Sequence, residues 1–123
     1  MLMLFRVFGV LYMVSGIWCS LQIDNASSFL GFDLVLPNGF SEFLSVYGGL
    51  QVGLGLAMLV TSFQGRYVEG SLYFSAIFSS CLALFRLISF CLYSVVSDFL
   101  IMLIIETIIA VGLWFAWYKI KRQ

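Results

Sequence analysis

Residues 71–94 read SLYFSAIFSSCLALFRLISFCLYS. A helix needs about 20 predominantly apolar residues to cross the hydrocarbon core of a bilayer. This run is long enough and carries a single charge, Arg86. The nearest other charged residues in the sequence are Glu69 before it and Asp98 after it. The run therefore predicts a transmembrane helix, and Arg86 poses the question of what answers a guanidinium in such surroundings.

The rest of the chain fits the same solvent. Of 123 residues, 63% are hydrophobic and 10% charged, against about 45–50% and about 25% in an ordinary soluble domain. A soluble fold of this size could not hide that much apolar surface, because small domains leave a large share of the chain exposed. Three more stretches match a span: residues 1–21, 43–63 and 99–118. With 71–94 they predict a single all-α domain, an integral membrane four-helix bundle of up-down-up-down topology. The first stretch has an apolar run longer than a signal core and no clean small-residue cleavage site after it, so it reads as a retained helix.

Charge sets the expected orientation. Arg6, Arg66, Lys119, Lys121 and Arg122 flank one set of helix ends, whereas the other connectors hold Asp24, Asp33, Glu42 and Asp98 with no Lys or Arg. The positive-inside rule then places both termini in the cytoplasm. Trp18 and Tyr93 fall near outer ends, and Tyr67, Tyr73, Trp117 and Tyr118 near inner ends, as interfacial aromatic belts predict. The connectors QGRYVEG (64–70) and VVSD (95–98) are short enough for antiparallel neighbours. The first connector, residues 22–42, is longer, and its FLGFDLVL segment is apolar but too short to span. It is expected to lie at the outer interface or to fold over the bundle mouth. Asn38 or Ser41 is expected to cap the second span, with Glu42 in its first turn.

Composition also excludes chemistry. Net charge is zero and no basic stripe is present, which argues against a nucleic-acid partner. There is no histidine, the commonest general base and metal ligand. Cys19, Cys81 and Cys91 form no C-x-x-C pair and read as small apolar residues rather than metal ligands. No metal, cofactor or catalytic residue is expected.

Arg86 lies eight residues before the outer end of its span, about 12 Å in, and Glu106 seven residues past the outer end of the fourth, about 10 Å in. Matching depth on consecutive antiparallel helices predicts an intramembrane salt bridge. Gln51 is at a similar level on the second span, and Tyr12 and Ser15 on the first. Gln51, Ser89 and Tyr12 are candidates for the hydrogen bonds that Glu106 leaves unmade. Ser75, Ser79, Ala83, Arg86 and Ser89 share one stripe of the third span, and Phe5, Gly9, Tyr12, Gly16 and Cys19 one of the first. Gly48, Gln51 and Gly55 share a face of the second span. Gly49 and Gly53 form a G-x-x-x-G on nearly the opposite face, which suits close packing within the bundle or a homodimer seam.

The run Ser41-Glu42, then Val46 to Gly55 (VYGGLQVGLG), with Gly31-Phe32-Asp33 and Pro37-Asn38 before it and Arg86 and Glu106 after it, resembles an uncharacterised family of small four-helix bacterial inner-membrane proteins, a domain of unknown function. The layout also looks loosely like DoxX-type proteins. The resemblance implies a bacterial inner-membrane location and a signature at Glu42, Tyr47, Gly48, Gly49, Arg86 and Glu106. It implies no activity. Two positions depart from the pattern: Phe43 and Leu44 stand where an arginine often follows Glu42, and Gln51 stands where the family often has an acid.

The residues point to a non-enzymatic protein that binds or carries a small lipophilic or amphipathic molecule. Its polar pocket would draw on Arg86, Glu106, Gln51, Tyr47, Tyr12, Ser15, Ser89 and Glu42. The alternative is a structural or accessory subunit of a larger membrane complex, packed through its glycine faces. An acid–base enzyme using Glu42, Glu106 and Tyr47 lacks a recognisable nucleophile arrangement. An ion path would find little polar lining in the inner half of the spans beyond Thr61, Ser62 and the serines of the third span.

Overall fold

The computed structural model describes residues 1–93 and 97–122. The predicted end of the third span at Ser94, and Val95 and Val96 of the VVSD connector, lie outside them. The described chain is helical with no strand, as the apolar runs predict. Four helices are long and apolar enough to cross a membrane: Leu2–Leu21, Asn38–Ser62, Gly65–Leu92 and Ser97–Lys121. Most large apolar side chains on them are exposed. That arrangement is stable in lipid and unfavourable in water.

Helix α1 is Leu2–Leu21, and a short α2, Ile23–Phe29, follows after Gln22. Gly31 then takes a φ of 84°, in the left-handed region that glycine enters without a Cβ penalty. The second span starts at Asn38, earlier than the expected 43, and is not uniform. Helix α3 is Asn38–Phe43, residues Leu44–Leu50 form a π-helical segment, and α4 is Gln51–Ser62. Neither Asn38 nor Ser41 caps it. Pro37 occupies the N-cap, and the Ser41 N–H donates to its carbonyl at 3.1 Å. Proline suits a helix start because it has no N–H to leave unsatisfied.

The expected seven-residue connector 64–70 shrinks to Phe63 and Gln64, because α5 runs Gly65–Leu92. Arg66, Tyr67 and Glu69 are polar but compatible with helix, so polarity there marks a helix end at the membrane surface rather than a loop. Helix α6 is Ser97–Lys121, with Asp98 in its first turn and Lys119 and Lys121 in its last, charges that complement the helix dipole.

The chain forms two compact units, Arg6–Val60 and Met1–Phe5 with Thr61–Gln123. In the first, α1 meets the second span through glycines. A Cβ at Gly16 would lie 2.8 Å from the Gly48 carbonyl oxygen, and one at Gly9 3.0 Å from that of Gly55. The connector is folded rather than loose. Cys19, Ala26 and Phe43 are buried together, with Ile23, Leu30, Leu34 and Tyr47 packed against them.

In the second unit, α5 and α6 pair closely. Contacts Tyr73–Trp117, Ser80–Trp114 and Arg86–Glu106 advance along α5 as they retreat along α6, so the two helices are antiparallel. Val68, Leu72, Ser75, Ala76 and Ser79 on α5, and Ile109, Ala110, Leu113 and Ala116 on α6, are buried. Small residues recur on both faces, which allows close approach in lipid.

Candidate functional site

Arg86 and Glu106 sit one to two turns beyond the buried stretches of α5 and α6. Helical spacing carries the packed face from Ser75 and Ser79 through Ala83 to Arg86, and from Ala110 and Ile109 back to Glu106. Antiparallel pairing then sets guanidinium against carboxylate. Arg86 Nε donates to Glu106 Oε2 at 2.8 Å, and Nη2 donates to Oε1 at 2.9 Å. This is the bidentate fork that fixes both side chains in one plane. The Phe99 ring centroid lies 5.4 Å from Arg86 Cζ, within cation–π range. The pair is not sealed: its side chains keep 23% and 17% of their exposure.

The hydroxyl of Ser89 donates to the Arg86 carbonyl oxygen at 2.7 Å. It therefore ties its own helix turn, which is a different task from the expected acceptance of a guanidinium N–H. Further along the hairpin, Trp114 Nε1 donates to Ser80 Oγ at 2.8 Å. Thr61 and Ser71 hydroxyls bond at 2.6 Å across the tight turn into α5.

A second polar pair lies within the other unit. Ser15 Oγ on α1 donates to Gln51 Oε1 at the start of α4, 2.7 Å away. Tyr12 is half-buried on α1, and Glu42 is exposed on α3. Tyr47 stacks on Phe43, with centroids 4.8 Å apart and rings 16° from parallel, and meets the edge of Phe32 at 5.4 Å.

The glycines divide in two. Gly48 and Gly55 are buried, and a Cβ at Gly55 would lie 2.7 Å from the Met13 nitrogen. Gly49 and Gly53 are exposed. Nothing lies within 4 Å of a Cβ at Gly53, and at Gly49 only the Leu44 carbonyl of its own segment does. Among the described residues, the close approach of the second span to α1 uses Gly48 and Gly55 rather than Gly49 and Gly53.

Sequence reading missed the π-helical segment. It spans LSVYGGL, the centre of the most distinctive run in the chain. The wider turn carries Tyr47 onto Phe43 on one side and Gln51 toward Ser15 on the other. π-helical turns frequently mark functional sites. The signal was the Gly48-Gly49 pair within a span, which weakens the α-helical preference locally.

Two open clefts have linings that do not include Arg86 or Glu106. One, of about 370 Å³, is bordered by Ser20, Gln22, Asp24 and Asn25 at the α1–α2 corner. The other, of about 500 Å³, lies beside the start of α5 and the end of α6. Among the described residues no group of His, Cys, Asp and Glu could hold a metal ion.

Span-length apolar helices, with an ion pair and hydrogen bonds tying them, define a small multi-pass membrane protein. The chain belongs to the family described as a domain of unknown function, DUF4345, whose model matches residues 1–118. No curated protein and no solved structure matches the chain.

Proposed function

We propose that the protein binds or carries a small amphipathic molecule, recognised within the membrane by the Arg86–Glu106 pair. The supporting observation is the partial exposure of a bidentate ion pair within two apolar stretches, residues 70–92 and 99–118, that carry no other charge. A charge of this kind in hydrocarbon costs at least about 2.5–3.5 kcal/mol by insertion scales, and a purely structural pin would be more stable fully enclosed. An exposed edge lets a carboxylate, hydroxyl or amide arriving through the lipid exchange hydrogen bonds with either partner. On this reading the ligand reaches the pair laterally, from the lipid. The absence of histidine and of a nucleophile arrangement favours binding over catalysis. On the resemblance noted above, the membrane is the bacterial inner membrane.

The test uses detergent-solubilised protein melted with a long-chain fatty acid, an isoprenoid alcohol or a sterol. At least one class is expected to raise Tm by several degrees in the wild type and not in R86Q/E106Q, which keeps the side-chain shapes and removes both charges. No shift from any class, or an equal shift in the double variant, overturns the reading.

One observation favours the accessory-subunit alternative: the exposed Gly49–Gly53 face of the second span is open to a close-packing partner helix. Cross-linking from cysteines placed on that face in native membranes would capture such a partner. Recovery of the bare monomer alone would dismiss it.

A further inference from the structure

Positive charge gathers at one end of the α5–α6 hairpin. Arg66 opens α5, Lys119 and Lys121 close α6, and Arg122 follows; Glu69 is the acid near them in sequence. All four cations are exposed. Each lies against an aromatic ring: Arg66 over Tyr67 at 5.1 Å, Lys119 over Phe115 at 5.5 Å, Lys121 over Trp117 at 4.7 Å and Arg122 over Tyr118 at 5.2 Å. Tyrosine and tryptophan beside cations are the residues that settle at headgroup level. Basic residues at a helix C-terminus also answer its dipole, so charge alone would make only a general anchor.

The cleft at this end adds a shaped surface. Its volume of about 500 Å³ is in the range of ligand sites, and Met1, Leu2, Met3, Gly65, Val68 and Ile120 line it. Those side chains are apolar. Chain continuity puts cations at the rim, since Lys119 and Lys121 flank Ile120 and Arg66 follows Gly65. We propose that this end of the hairpin binds one anionic phospholipid, with its phosphate against the Lys119, Lys121, Arg122 and Arg66 group and an acyl chain in the cleft. A zwitterionic lipid brings its own ammonium to the same cations and is disfavoured. Free phosphate has nothing to place in the slot.

Native mass spectrometry of the full chain in mild detergent, with equal amounts of phosphatidylglycerol and phosphatidylcholine of identical acyl chains, tests this. The wild type is expected to retain one phosphatidylglycerol several-fold over phosphatidylcholine, undisplaced by millimolar inorganic phosphate. K119Q/K121Q/R122Q is expected to lose that preference. Gly65→Phe should reduce retained phosphatidylglycerol several-fold with every charge in place, because a Cβ at Gly65 meets nothing within 4 Å and the ring can enter the cleft. Ile120→Trp fills the slot from its other wall and is read the same way should Gly65→Phe melt early. Equal retention of the two lipids by the wild type, or wild-type preference in the filled variants, overturns the proposal.

Discussion

At the scale of single residues, the Arg86–Glu106 fork decides most. Removing one partner leaves the other charge without its counter-ion, whereas removing both leaves no charge to answer. Arg86→Ala and Glu106→Ala are each expected to destabilise the protein by on the order of 2–4 kcal/mol. The R86Q/E106Q double variant should fall well short of the sum of its single changes, with a coupling of about 1–3 kcal/mol. Reversible unfolding in mixed micelles measures this, and additive single effects below about 0.5 kcal/mol would mean the pair contributes nothing. Trp114→Phe offers a contrast. It removes the neutral bond to Ser80 and trims the ring packed against Tyr73 and Trp117. With hydrogen bonds between membrane helices averaging about 0.6 kcal/mol, its cost should be about 1 kcal/mol, below the loss of either charge.

At the scale of elements, the glycines separate contact from open surface. An alanine Cβ at Gly16 would meet Val52 Cγ2 at 2.7 Å and the Val52 nitrogen at 2.8 Å; at Gly55 it would meet Met13 atoms. Backbone cannot step aside as a flexible side chain can, so Gly16→Ala and Gly55→Ala are expected to cost about 1–3 kcal/mol, the range for overpacking. Gly53→Ala should be neutral or slightly stabilising, because space is open there and glycine is a poorer helix former. Equal melting temperatures for all three would show that α1 and α4 do not approach closely. The spans and the Arg86–Glu106 pairing were legible in sequence because each rests on a local rule: run length for the helices, and equal depth on consecutive helices for the charges. Three features were not. The π segment depends on which hydrogen-bond ladder wins over Leu44–Leu50, a contest that apolar runs cannot report. The Phe32–Phe43–Tyr47 cluster needs the fold of the connector. The choice of the Gly48–Gly55 face over Gly49–Gly53 depends on which stripe meets α1, and both satisfied the small-residue pattern.

At the scale of the whole molecule, charge asymmetry predicts which way the chain threads the bilayer. Arg66, Lys119, Lys121 and Arg122 lie on segments that the positive-inside rule retains in the cytoplasm, whereas the connector between α1 and α3 holds Asp24 and Asp33 without a Lys or Arg. Burying the connector's own core, Cys19 with Ala26 and Phe43, leaves Phe29, Val35 and Leu36 exposed. Apolar side chains beside acidic ones suit a headgroup layer rather than a hydrated loop. Site-directed labelling checks the orientation. In a variant with Cys19, Cys81 and Cys91 replaced by alanine, a cysteine at Asp33 is expected to react with a membrane-impermeant maleimide on intact cells. A cysteine at Gln64, between α4 and α5, should react only after the membrane is opened. The reverse pattern would invert the topology and move the basic end of the hairpin to the outer face. Replacing Lys119, Lys121 and Arg122 with glutamine weakens the bias near the α6 end but leaves Arg6 and Arg66, so the Gln64 position should stay protected. Exposure of that position in the glutamine variant would show that the C-terminal cluster alone sets the orientation.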